Sequence, residues 1–487
     1  MPSFKRREPA SDRQKLAGGL KPSPYPSLVP LFSTGLASLD DVLSGSGLPS
    51  SSVLAICPAL GLASLSSHEE EEERPLKKSL KASGSDQTLE ALKAAENVAL
   101  DLMSYSIAQG LAASQETLVI GRNARKLMEE RVPGKATSRD YSQSTENKEE
   151  DALTIAFRYA HRPKFKTTVD EPEVASEAAT GIPEEHLFRA PFDTSKRWKG
   201  EEIAKVEGRQ RGKLRCVEEE TFDAAWHAIE QEGERCKRLS LDKGASLPAL
   251  RIHLPCLGSQ GSAQHGSSQG NRLMQLSRFL GRLRRLLKDL SLHEQTPIHS
   301  ICILTLSPDL LLPFASINTT TFHISRFVDA QLLVSDFSHY PHLRKAYLGY
   351  GGAVSLLKGP SVGFLLPPGE SRSVLRGGVA EAGAENDVGW KKRKRGVVLE
   401  TLHEDVDAGV KDSDTVKETS NTKQGDDIEE AAMGLSRKEA THSHSHPHPE
   451  PAPRPTRVKF EGLKSLRERG LRATKQVNVQ VEKTEEW

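Results

Sequence analysis

Apolar and polar residues fall in blocks whose spacing predicts alternating strands and helices. Ser52–Cys57 is a short, continuous apolar run, as a strand covered on both faces requires, and the pattern from about Leu89 to Gln109 predicts a helix with Gly110 as its stop. Thr117–Gly121 predicts a second buried strand, and Ala152–Tyr159, Ala249–Leu254 and Ile298–Leu306 share its β-branched, apolar character. A helix over Arg272–Leu290 precedes the last of these. This alternation predicts an α/β layered core with a mostly parallel sheet. After Ala330 the pattern changes to short strands, Gln331–Val334, Ala353–Leu357, Val362–Leu366 and Gly396–Leu402, joined by loops. That change predicts an antiparallel C-terminal extension at one edge of the sheet.

Two helical faces carry further information. Leu273, Leu276, Leu280, Leu283, Leu287 and Leu290 recur at three- and four-residue steps and make one apolar stripe, while Arg278, Arg282, Arg285 and Lys288 lie on the opposite face. The basic face admits two readings, a solvated surface or an RNA contact. Trp226 and His227, within Phe222–Ile229, are expected on the packing face of another helix.

Between these elements lie Ser66–Ser85, with the acidic run Glu69–Glu73, and Gly134–Asp151, Val169–Ile182, Leu257–Asn271, Gly369–Asp387 and Asp405–Pro455. Such polar stretches bury too little apolar surface to offset the entropy of ordering them. The expected organisation is a flexible segment over residues 1–25, a core over 26–404 with disordered insertions at about 66–85, 134–151, 169–182, 257–271 and 369–387, and a partly basic tail over 405–487. Composition agrees, since only 36% of the 487 residues are hydrophobic and 5% aromatic, low for a chain packed throughout.

A net charge of +1 excludes a global field drawing the whole protein onto nucleic acid or membrane, so any such contact must be local. The cluster Lys391-Lys392-Arg393-Lys394-Arg395 is one local candidate, for RNA or a nuclear signal, against a charged strand end that discourages edge pairing. Cys57, Cys216, Cys236, Cys256 and Cys302 form no metal or disulfide spacing. Together with an N-terminus lacking the apolar core of a secretory signal, they give the cytoplasm and nucleus as the expected location. The uncharged stretch around Val42–Ser67 is broken by Gly45, Gly47, Pro49, Pro58 and Gly61, which suits strand and turn rather than a membrane helix. His442, His444, His446 and His448 alternate with Ser and Pro and suit a solvated tail better than a metal site.

Ser33-Thr34-Gly35-Leu36-Ala37-Ser38-Leu39-Asp40, followed by a glycine turn and the strand from Ser52, resembles the entry to a RecA-type ATPase core, where the first strand ends in a phosphate-binding loop. Such a loop needs glycines to expose backbone N–H groups, a lysine to neutralise phosphate and a hydroxyl to hold magnesium. Here the corresponding position is Pro58-Ala59-Leu60-Gly61-Leu62-Ala63-Ser64, with one glycine and no lysine. An acid to order metal and water is also missing from the strand ends, since Ala249–Leu254 runs into Pro255-Cys256 and Ile301–Leu306 into Ser307-Pro308, leaving Asp309 late.

Further blocks point to one family. Gly19-Leu20-Lys21-Pro22, Phe192-Asp193-Thr194-Ser195-Lys196, Arg251-Ile252-His253-Leu254 with Leu257-Gly258-Ser259, Tyr350-Gly351-Gly352 and Lys392–Glu400 occur in the order found in the PAXNEB family, that of the fourth Elongator subunit, which the chain resembles from about Lys5 to Glu404. The resemblance implies a RecA-like (P-loop ATPase-type) core in a non-catalytic subunit. It also implies a ring of two copies each with the fifth and sixth subunits, association with the larger Elongator subunits, binding of tRNA and support of wobble-uridine modification. The alternatives are a stand-alone RecA-type ATPase, against which the missing loop lysine argues, and a recombination accessory protein, which does not account for the Phe192–Lys196 and Lys392–Glu400 blocks. No cofactor is expected on this chain alone, and ATP is expected only in the assembled ring.

Overall fold

The structure, a computed structural model, describes residues 16–23, 29–45, 47–61, 85–136, 187–207, 213–219, 221–241, 248–259, 269–293, 297–311, 323–360, 373–376 and 387–403. Short strands β1 (Leu20–Lys21), β2 (Leu31–Phe32) and β3 (Leu48–Pro49) form a small antiparallel sheet around α1 (Ala37–Ser44). The main body follows as β4 (Ser52–Pro58), α2 (Ser85–Ala112), β5 (Glu116–Ile120), α3 (Ala124–Arg131), β6 (Pro133–Lys135), β7 (Phe192–Arg197), α4 (Gly200–Glu207), β8 (Leu214–Val217) and α5 (Phe222–Leu241). It continues through β9 (Ala249–Leu257), α6 (Gln269–Ser291), β10 (His299–Leu306), α7 (Pro308–Leu311), β11 (Ala330–Val334), α8 (Pro341–Ala346), β12 (Gly352–Lys358), β13 (Val388–Arg393) and β14 (Gly396–Thr401).

Nine strands pair in the order β14-β13-β12-β11-β4-β10-β9-β5-β8, with every contact from β11 to β8 parallel and every contact from β12 to β14 antiparallel. This is a RecA-like α/β core, with the strand that would carry a phosphate loop, β4, held between β10 and β11. Both faces are covered. Leu54 and Ile56 of β4 join α1 and α2 in one apolar cluster, and Val53, Ala55 and Cys57 join α5 and α6 in the other. A strand buried on both faces must be apolar at successive positions, which explains why β4, β9 and β10 appear as runs rather than alternations. Among the described residues no helix is long and apolar enough to cross a membrane.

Several sequence expectations need correction. Gly110 does not stop its helix, which continues to Ala112. A Cβ at Gly110 would lie 2.5 Å from Thr117 Oγ1 and 2.9 Å from Arg251 Cδ, so the glycine serves close helix-to-sheet packing. β11 is the junction between the two parts of the sheet, parallel to β4 on one edge and antiparallel to β12 on the other, so only the strands beyond it are antiparallel throughout. β9 runs past Pro255 to Leu257, with Cys256 at the left-handed φ of 51°. Gly134 and Lys135, at the start of an expected insertion, pair with Asp193 and Phe192 in the β6–β7 ladder. Residues 373–376, inside the expected 369–387 insertion, are seated on α1: Ser373 Oγ and the backbone N–H groups of Val374 and Leu375 donate to the Asp41 carboxylate at 2.7, 3.1 and 3.0 Å. Strands expected at Ala152–Tyr159 and Val362–Leu366, the Glu69–Glu73 run and everything from residue 404 onward lie outside the described residues.

Candidate functional site

In a RecA-like core the reactive position lies at the carboxyl end of the phosphate-loop strand, and here that end is tied down. The Ala59 N–H donates to the Val334 carbonyl at 2.8 Å, extending the β4–β11 pairing beyond Pro58. Leu60 packs on a cluster of Ala91, Phe337, Tyr340, Leu343 and Ala353. Gly61 adopts the left-handed φ of 57°, and Leu62, Ala63 and Ser64 lie outside the described residues. Pro58 supplies no N–H, Ala59 has committed its own to the sheet, and Leu60 lies against aromatic carbon. Pro58, Ala59 and Leu60 therefore do not fit a triphosphate, which needs several N–H groups aimed at it and a cation beside it.

The acidic side of the site is also unlike a metal-ordering one. Glu96, on α2, was not singled out from the sequence; burial pushes its carboxyl up to about 7, against a hydrogen bond with Cys256, with the charge of Asp309 adding to the rise. A carboxyl held near neutrality by desolvation is a poor magnesium ligand. Cys256 donates its backbone N–H to Thr305 Oγ1 at 2.8 Å, and burial, first, and Glu96 raise its thiol above the ordinary range, so it is no nucleophile. Among the described residues no group of three or more His, Cys, Asp or Glu side chains could hold a metal ion.

The motif residues form buried ties between distant segments. Asp40, 1% exposed, accepts Ser33 Oγ at 2.8 Å on one oxygen and the Thr34 N–H and Oγ1, both at 2.7 Å, on the other. Arg189 donates to the first oxygen through Nε and Nη2 at 3.1 and 3.0 Å. Gly35 bends the chain between them at φ 85°, where any Cβ would collide with the Tyr105 carbonyl. Arg251 is fully buried: Nη1 donates to the Ser33 carbonyl at 2.8 Å and Ser106 Oγ at 3.0 Å, Nε donates to Gln115, and the guanidinium lies 5.2 Å from the Phe32 ring centre. Desolvation lowers its pKa to about 9, partly offset by the charge of Asp40. His253, beside it, is held neutral by burial, with a pKa lowered to about 3, and its Nε2 is 3.1 Å from Ser106 Oγ. Asp193 accepts the Ser195 N–H and Oγ at 2.8 and 2.6 Å. These side chains are spent on the frame.

The two basic candidates differ. In the β13–β14 hairpin, Lys391 pairs with Glu400 at 2.9 Å, Arg393 pairs with the same carboxylate, and Arg395 lies 3.8 Å from Asp193. Lys391 also sits 4.0 Å from the Tyr350 ring centre. Lys392 and Lys394 remain exposed. On α6, Arg278, Arg282, Arg285 and Lys288 are all exposed, and none makes an ion pair among the described residues. Arg282 lies 4.1 Å over Trp226, and its neighbour Arg284, which sequence reading left aside, instead turns inward to pair with Asp329. Hairpin and helix sit at different places in the fold, β13 and β14 at one end of the sheet and α6 beside β10.

A family model described as PAXNEB protein matches residues 13–431. A search of curated proteins finds no match.

Proposed function

Because the chain belongs to the PAXNEB family, that of the fourth Elongator subunit, we propose that it is a non-catalytic, ring-forming subunit. In this reading its RecA-like core sits beside the fifth and sixth subunits in a heterohexamer of two copies each. The ring binds tRNA, associates with the larger Elongator subunits and supports carboxymethyl-type modification of the wobble uridine. It acts in the cytoplasm and nucleus, and any ATP site belongs to the assembled ring.

The observation that carries this reading is the contrast at β4. The strand keeps its RecA position between β10 and β11, while Ala59 and Leu60 are committed to sheet and aromatic contacts. A frame kept without its phosphate chemistry is useful as a building block. Interfaces of such rings should bury more than roughly 1,000 Å² each.

Co-expression with the fifth and sixth subunits, followed by native mass measurement and tRNA binding at graded salt, tests the proposal. The expected result is a six-chain assembly whose tRNA affinity falls with salt. A chain that stays monomeric beside both partners would exclude the ring.

A further inference from the structure

We infer that the exposed face of α6, and not the β13–β14 hairpin, is where this chain meets RNA, through the phosphate backbone. The inference rests on the reading of the ring as an RNA-binding assembly and assigns the contact to one helix. It follows from how the two clusters use their charge.

A cation serves phosphate recognition when it is not already neutralised. In the hairpin, Glu400 takes Lys391 and Arg393, and Asp193 lies near Arg395, so the five-residue run presents mainly Lys392 and Lys394. On α6 the four charges Arg278, Arg282, Arg285 and Lys288 face outward without an ion pair among the described residues, and Asp289 is the acid exposed beside them. At about 1.5 Å of rise per residue they span about 15 Å of helix, in steps of about 4.5–6 Å. That is a ladder along which successive phosphates of one strand can be met. The face is also shaped for approach: nothing lies within 4 Å of where a Cβ would stand on Gly281, in the middle of the ladder. Arg282 is steadied by its 4.1 Å stacking on Trp226. Stacking on Trp226 covers the indole, which is 7% exposed, so the face offers no free aromatic for a base. Contact of this kind is insensitive to sequence.

The test replaces Arg278, Arg285 and Lys288 by Gln, leaving Arg282 on its indole, and compares this variant with Lys392→Gln/Lys394→Gln in the reconstituted ring. The probes are a fluorescent unmodified tRNA transcript and an oligouridine. The helix variant is expected to assemble normally, to bind both probes about tenfold more weakly at 0.1 M salt, and to lose roughly 2–3 from the slope of log affinity against log salt. The hairpin variant is expected to match the unaltered ring. Unchanged affinity and slope in the helix variant would overturn the inference, as would failure of that variant to join the ring, which would make α6 a protein-docking face. A loss confined to the tRNA probe would overturn backbone recognition. If the unaltered ring binds neither probe, the functional reading falls and this inference with it. Should the triple variant misfold, Arg278→Gln/Lys288→Gln gives the same comparison.

Discussion

Replacing Asp40 by Asn removes one formal charge and two lone pairs while leaving the side chain's shape intact, so its cost measures what the carboxylate does. One oxygen serves the Thr34 N–H and Oγ1 at 2.7 Å, and the other serves Ser33 Oγ at 2.8 Å and Arg189 at 3.0–3.1 Å. The Asn amide must turn its NH₂ toward one of these sets. Hydroxyls can rotate to accept, but the Thr34 N–H and the Arg189 guanidinium only donate, so either orientation sets donor against donor. Asp40 is 1% and Arg189 16% exposed at the side chain, so water cannot restore the bond cheaply. Breaking one partner of a buried charged pair costs about 3–5 kcal/mol, a large share of the roughly 5–15 kcal/mol that holds a domain folded. Equilibrium urea unfolding of the full chain, followed by tryptophan fluorescence, reads this loss directly. The double-mutant cycle with Arg189→Met should give a coupling of at least about 2 kcal/mol. A loss below about 1 kcal/mol at unchanged m, or additive single variants, would refute the claim that this carboxylate ties the segments together.

Glu96→Gln should leave stability unchanged below about pH 4.5 and raise it increasingly up to about pH 7. Burial lifts this carboxyl from 4.5 to about 7, so the fold favours its protonated form and loses stability as pH rises through that window. Allowing for residual solvent contact, the gain above pH 7 is about 2 kcal/mol, and a pH-independent difference in melting temperature would count against it. Gly110→Ala should destabilise by about 1–3 kcal/mol despite the better helix propensity of alanine, because its Cβ would meet Thr117 and Arg251; a neutral or stabilising result in thermal melts would show that the helix can withdraw. Isothermal calorimetry on the isolated chain should detect no micromolar ATP binding, given the absence of a lysine from Pro58–Ser64, and binding with turnover would reverse the reading of β4.

Fold class could be read from the sequence because β4, β9 and β10 are apolar at successive positions and α6 carries a leucine stripe. Local signals of that kind need no knowledge of neighbours. β8 escaped notice because its four residues, Leu214–Val217, include Arg215, whose charge is answered by Glu232 on α5. β13 was only partly visible for the same reason: Lys391, Lys392 and Arg393 suit a surface cluster as well as a charged strand end, and the Glu400 that pairs with Lys391 and Arg393 comes from the next strand. Motif residues were legible as motifs, yet their use was not, since Asp40 and Arg189 meet across 149 positions of chain. The phosphate-loop position was recognisable from its missing lysine, whereas the apolar cluster that receives Leu60 gathers residues from α2, α8, β12 and the β11–β12 connection.

The sheet has a protected margin. In the β13–β14 ladder Gly396, Val398 and Glu400 alternate with Val397 and Leu399, whose N–H groups point away from the partner strand. Those outward groups are not left bare: Val397 donates to the Tyr105 hydroxyl at 2.8 Å and Leu399 to Ser38 Oγ at 3.2 Å, while the Arg395 carbonyl accepts the Thr194 N–H at 2.8 Å. An exposed run of unpaired amides invites another molecule's strand to add on. Here two hydroxyls from the helical layer occupy the donors first, so a foreign strand would have to strip them away before it could pair. Association at this margin is thereby restricted to side-chain surfaces, and a sheet of nine strands avoids becoming a template for uncontrolled growth from this side.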